Sequence, residues 1–353
     1  MIFFTLLFSW SVFAGEPDNF SARLDRGAVV ANKDISFVVN TVLERAIFEA
    51  NRRNLRSTTG ISAPCNKEKL NEILDEELDQ NFPAVNHYLN LSVPYAGPIS
   101  VGETPYRGDG VYKRKSFVAS AKVKSDGETY YVGIDKVDHM FSQGSLYWRL
   151  VEKDANLPDA KIKKALELGM KQEQGPWGLK SFGVKSYADL AANYHGLFFW
   201  RDLLNGPTPM IVCRHGQYYL QRKFEIENYL SPAMDETINC NSYKSEEILQ
   251  AIKRVTDARR VSCPVSAAIC TKLKAKYPPE VAKMILHPIC LGTGTSQVEE
   301  MLDITTRDLL DGASALLSGD ENLFNLMFPP EEIMRANQQR NRRNNQRPAV
   351  GAQ

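Results

Sequence analysis

The sequence predicts a mainly α-helical protein carrying small antiparallel β-hairpins, an α+β chain with a helical core and a multi-helix C-terminal part. Three observations predict it. Apolar residues recur at i, i+3, i+4 and i+7 in one segment after another, the mark of helices with one buried face. Short β-patterned runs meet at Asp126-Gly127 and at His215-Gly216, where glycine suits a tight hairpin turn. Hydrophobic residues make up 43% and charged residues 24% of 353 residues, the balance of a chain that buries a sizeable core.

The elements follow in chain order. Residues 32–51 read as a helix with Ile35, Val38, Val39, Val42, Leu43 and Ile47 on one face and Asn32 or Asp34 as its cap. Residues 66–81 read as a second helix, capped by Asn66, with Leu70, Ile73, Leu74 and Leu78 inward. The proline- and glycine-rich stretch 92–110 reads as irregular. Ser116–Lys124 and Thr129–Ile134 read as one hairpin, Met210–Cys213 and Gln217–Ile226 as another. Between them lie helices over 136–152, 159–173 and 187–204. A helix over 246–259, with Ile248, Leu249, Ile252 and Val255 inward, opens the C-terminal part, and shorter ones follow near 264–276, 279–287, 297–315 and 320–327. From Arg335 the chain is rich in Arg, Asn and Gln without apolar periodicity, and is expected to be a disordered tail. The organisation expected is a signal peptide over 1–14, an N-terminal helical region over 15–110, a core helical domain over 111–244, a C-terminal helical region over 245–334 and the tail.

Composition and termini point to a compartment. Lys+Arg is 43 and Asp+Glu is 42, which argues against a strongly basic nucleic-acid-binding face. Met1–Ala14 is an apolar run ending in Val12-Phe13-Ala14, with small residues where a signal peptidase cuts, and too short to span a bilayer. A buried N-terminal strand or helix is the other reading of that run. Export to the periplasm or beyond suits six cysteines, which allow up to three disulfides. Cys213 and Cys240, flanking a strand-rich segment, are the first expected pair. Cys263 and Cys270, seven apart on a helix, are expected to reach outward, at least one of them to Cys290 or Cys65. The spacings do not suit a zinc site.

Three neighbouring helices carry polar groups that chemistry needs. Asp135 and His139 stand at i, i+4, a spacing for an orienting hydrogen bond or a shared metal, with Gln143 one turn on. Asp135 as helix cap and His139 as a satisfied half-buried ring are the structural alternatives. Glu173 continues the inward stripe Ile162, Ala165, Leu166, Gly169, Met170. Beside Trp177 it would be desolvated and its pKa raised, which suits a general acid. Ser186 and Asp189 form an S-x-x-D capping box. Asn193 sits in the apolar row Leu190, Leu197, Trp200, Leu204, where a buried amide needs partners, and Gly196 allows a close helix crossing or a ligand approach.

On these residues, DKVDHMFSQG followed by GVKSYADLAANYHGLFFW resembles a pattern in an uncharacterised family of exported bacterial proteins, over residues 115–240. Glu173-Gln174-Gly175-Pro176-Trp177-Gly178-Leu179 is also similar to the catalytic glutamate and G-x-x-G-L turn of lysozyme-like lytic enzymes, although only four residues separate Glu173 from Gly178 here. The expectation is an exported hydrolase of an envelope polymer such as a glycan strand. In it Glu173, His139 and Asp135 are catalytic, and Asn193, Gln143, Trp177 and Asp189 bind substrate. The alternative is a non-catalytic envelope or secreted binding protein whose Asp, His, Glu and Asn residues form a packing network. A divalent metal held by Asp135, His139 and Glu173 is the reading between them. The partner expected is an envelope polymer or envelope protein, not a specific nucleic acid.

Overall fold

The computed structural model describes residues 29–30, 32–56, 65–80, 98–99, 116–117, 119–125, 128–151, 153–175, 178–258 and 261–299. The apolar run at 1–14, the hairpin turn at 126–127, Trp177, the expected helix over 320–327 and the tail from Arg335 lie outside them. So do all but two residues of the 92–110 stretch and all but the first three of the expected helix over 297–315.

The fold is mainly helical with small sheets, as the periodicity predicts. Helix α1 spans Asn32–Arg56 and α2 spans Lys67–Leu74, continued by a π-helical turn over Asp75–Gln80. Strands β2 (Pro98–Ile99) and β3 (Ser116–Phe117) pair antiparallel, as do β4 (Ala119–Ser125) and β5 (Glu128–Gly133), and β1 (Val29–Val30) joins β4 in parallel, a pairing the local pattern does not announce. The central helices are α3 (Ile134–Leu150), α4 (Asp159–Gln174) and, after the short α5 (Leu179–Phe182), α6 (Tyr187–Leu204). The second hairpin pairs β7 (Ile211–Arg214) with β8 (Gln217–Leu220), turning at His215 and Gly216, both at positive φ. Helices α7 (Glu246–Ala258), α8 (Ala267–Lys276), α9 (Pro279–Ile285) and α10 (Pro288–Leu291) complete the C-terminal part. Among the described residues no helix is long and apolar enough to cross a membrane.

Helix α6 is the axis of the core. Leu190, Ala191, Ala192, Leu197, Phe199, Trp200 and Leu203 are all buried, so apolar groups cover most of its circumference, as expected of an interior helix. It crosses α3 where Gly144 meets Gly196, and a Cβ on Gly196 would overlap the Met140 carbonyl and the Gly144 Cα. Gly196 therefore serves a helix crossing, not a ligand. The Trp200 indole N–H donates to the Phe141 carbonyl (2.8 Å) across that crossing. One hydrophobic cluster runs from Ile35 on α1 to Leu291 on α10.

Asparagines fasten α1 to this core. Asn40 donates to the Phe224 carbonyl and accepts from the Phe224 N–H, both at 2.8 Å. Asn51, three turns on, clasps Tyr218 in the same way at 3.0 and 2.8 Å. An amide side chain so placed reproduces the pairing of a β-strand neighbour and satisfies backbone groups that burial would otherwise penalise.

That docking corrects the expected disulfide. With β7–β8 lying against α1, Cys213 meets Cys65, just ahead of α2, instead of Cys240. Cys240 bonds Cys263, and Cys270 bonds Cys290. All six cysteines are paired, and the outward reach of Cys270 to Cys290 matches expectation. The last two bridges sit side by side, their four sulfurs within 4.0 Å of the Ile238 carbonyl oxygen.

Candidate functional site

Helix α3 begins two residues earlier than its apolar pattern suggests. Gly133 is its N-cap and offers no side-chain bond, so Asp135 lies inside the first turn and does not cap it. The Asp135 carboxylate turns instead to its neighbour Lys136, whose ammonium is the centre of the site. Lys136 is wholly buried. Its Nζ donates to Asp135 Oδ2 and to Glu236 Oε1, each at 2.5 Å, and stands 2.7 Å from Asp189 Oδ1. Asp135, Asp189 and Glu236 are themselves buried, so three carboxylates surround one cation out of reach of bulk water.

His139 extends this cluster along α3. Its Nε2 faces Asp189 Oδ2 at 3.2 Å and its Nδ1 faces Asn193 Oδ1 at 3.0 Å. Asn193 in turn reaches the buried Tyr147, whose ring covers Gly169 of α4. Asp189 rather than Asp135 thus orients His139. With 13% of its side chain accessible, His139 is the member of this group nearest to solvent. Gln143, one turn further on, is half-buried and holds its Oε1 away from water without a protein hydrogen bond.

Glu173 is buried at the end of α4, as its stripe predicts, and its role there is local. Its Oε2 accepts from the Ser186 N–H (3.1 Å), while Ser186 Oγ accepts from the Asp189 N–H (3.1 Å) at the start of α6. In a full capping box Asp189 would return that first bond. Glu173 makes it from another helix, which leaves the Asp189 carboxylate for Lys136 and His139.

Burial and charge pull the two aspartates apart. Burial raises the Asp135 pKa, and the repulsion of Asp189 adds to it against the pull of Lys136. Burial opposes ionisation of Asp189 too, but His139 and Lys136 outweigh it and hold its carboxyl below the usual range. Burial also pushes the Tyr147 hydroxyl well up.

The expected metal triad is not assembled. Among the described residues, the acids and histidines close enough to share one ion are Asp135, Asp189 and Glu236, with ligand atoms within 4.8 Å of one another; His139 and Glu173 do not belong to that group. The Lys136 ammonium stands within 2.7 Å of all three carboxylates, so the chain supplies the cation that such a cage requires.

The structure therefore gathers Asp135, His139, Asp189 and Asn193 into one network, sets Glu173 at its edge as a cap acceptor, and leaves Gln143, one turn beyond His139, with its Oε1 unbonded. Sequence reasoning passes over Lys136, and it reads Asp235-Glu236, in the loop after Pro232, as a solvated turn that could join a site; the structure buries Glu236 against Lys136. Lys136 had a signal: it stands four residues before Met140 and eight before Gly144, on the row of α3 that crosses α6. Nothing in the sequence ties Glu236, one hundred residues away, to Lys136. Comparisons with protein-family models, with curated proteins and with solved structures find no match.

Proposed function

We propose that the chain is a non-catalytic exported protein, an envelope or secreted binding protein, and that the cluster around Lys136 locks α3, α6 and the Glu236 segment together. The observation that carries this reading is the state of His139: both of its ring nitrogens face protein oxygens. A general acid or base needs a nitrogen that substrate can reach, and neither is offered. Three disulfides support export, since such bridges persist in oxidising compartments. The experiment compares Glu173→Gln with wild type for melting temperature and for turnover of purified envelope glycan. The binding reading expects a lowered melting temperature, because the amide is a poorer acceptor for Ser186 N–H, and no turnover by either chain. Turnover by wild type that vanishes in a stable Glu173→Gln would overturn it.

A hydrolase of an envelope polymer is the second reading, and one observation favours it. Enclosing three carboxylates and a lysine is a poor way to gain stability, because apolar residues of equal volume commonly do as well or better. Such clusters concentrate at functional sites. Here His139 would carry the proton, oriented by Asp189, after substrate displaces Asn193. His139→Gln would then abolish turnover of the same glycan preparation while leaving the fold intact.

A further inference from the structure

A second buried lysine has a different kind of partner. Strand β6 (Val184–Lys185) pairs antiparallel with β9 (Ser242–Tyr243), and the chain returns to add Gln297–Glu299 beside β9, with Val298 bridging to Tyr243 in parallel. The added strand is held by two backbone bonds: Tyr243 N–H donates to the Gln297 carbonyl (2.6 Å), and Glu299 N–H donates to the Tyr243 carbonyl (3.0 Å). Its one carboxylate enters a set of donors. Lys185 Nζ lies 2.7 Å from Glu299 Oε1, and Gln174 Nε2 donates to the same oxygen at 3.0 Å. Ser242 helps to hold that carboxylate ionised, its Oγ also lying 3.2 Å from His287 Nε2, and Val298 packs on Val184, Tyr243, Leu249 and Ile252.

We infer that β9, Lys185, Gln174 and Ser242 form a binding site for an extended peptide bearing a glutamate side chain, which residues 297–299 fill in cis. The recognition is that of strand addition to a sheet edge: backbone bonds supply register, and one side-chain pocket supplies specificity. Lys185 is 1% exposed and Glu299 24% exposed, so the receptor half is built into the core while the ligand half lies at the surface. Burial alone would hinder ionisation of Glu299, yet Lys185 holds its carboxyl below the usual range. An acidic strand from a partner would make the same bonds once 297–299 moves aside. The site does not depend on whether the Lys136 cluster is catalytic.

The test uses full-length chains and a labelled peptide, acetyl-Ser-Gln-Val-Glu-amide, followed by fluorescence anisotropy. Glu299→Ala weakens the internal strand and is expected to bind the peptide about 10-fold or more tightly than wild type does; adding Lys185→Met is expected to reverse that gain. Propionate, as an isolated carboxylate, should raise the melting temperature of Glu299→Ala and not that of the double variant. Glu299→Gln, which keeps the side-chain shape, serves in the same assays if Glu299→Ala does not fold. The inference is overturned if the folded Glu299 variant binds the peptide no better than wild type. It is equally overturned if the gain survives Lys185→Met, because the carboxylate pocket would then play no part.

Discussion

Among the described residues two lysines lie in the interior, and their surroundings differ in a way that separates architecture from exchange. Lys136 is enclosed by Asp135, Asp189 and Glu236, all of them buried. Lys185 is as deeply buried but is paired with one carboxylate, that of Glu299, on a strand held at the surface by two backbone bonds. The first cation has more anions than it needs, drawn from elements that cannot move without opening the core. The second has one anion among the described residues, drawn from a strand at the surface. A buried charge whose partners are all internal fixes the packing; a buried charge whose partner comes from an edge strand is the feature on which the proposed peptide site rests.

The largest effect expected of this contrast is at Lys136. Lys136→Met leaves three carboxylates enclosed without a cation, and breaking a buried pair costs about 3–5 kcal/mol. Urea unfolding at neutral pH measures it. Adding Glu236→Gln should recover part of the loss, because one of the repelling anions is gone; strict additivity would show that Lys136 and Glu236 are not coupled. Lys185→Met should cost less, about 1–3 kcal/mol, since Glu299 is free to turn to water once its partner is removed. Equal losses at the two lysines would erase the distinction drawn here.

The smallest effect expected is a pH dependence near Lys185. Burial, reinforced by Lys185 and opposed by Glu299, lowers the His287 pKa from 6.5 to about 4. Its folded pKa lies below its unfolded one, so the unfolded chain binds the extra proton. Stability is therefore full above about pH 6.5 and is lost as pH falls toward 4, by about 1 kcal/mol between pH 7 and 5.5. His195, lowered to about 3 by burial and Lys276, acts in the same direction. A His287→Asn chain should show a shallower fall over that window by chemical denaturation. An unchanged slope would mean that His287 does not stay neutral in the fold.

Much of this was legible before the structure. The apolar rows of α1, α2, α4 and α6 follow from the sequence, as do the Ser186 cap and the inward position of Glu173. The chemistry of the site was legible only in part. Asp135 and His139 do lie on one side of α3, but His139 turns to Asp189, whose carboxylate is available because Glu173 takes over its capping bond. The S-x-x-D spacing explains Asp189 as a cap, and the further use the sequence suggests for it is substrate binding, not the pairing with Lys136 and His139. The first expected disulfide failed for a related reason: Cys213 and Cys240 are neighbours along the chain, while the asparagine clasps on α1 carry the β7–β8 hairpin toward Cys65.

What the sequence determined by itself is what acts over one or two helical turns or across one hairpin: where helices run, which face is apolar, where Gly216 turns the chain, and which residues cap. Those follow from backbone geometry and from side-chain spacing of three or four residues. What the tertiary structure decided is which charges meet. Lys136 finds Glu236 one hundred residues away, and Lys185 finds Glu299 across 114. Electrostatic pairing carries no periodicity in the chain; it depends on distance and on exclusion of water. Both are set only when α3, α6 and the β6–β9 edge have closed around the two lysines.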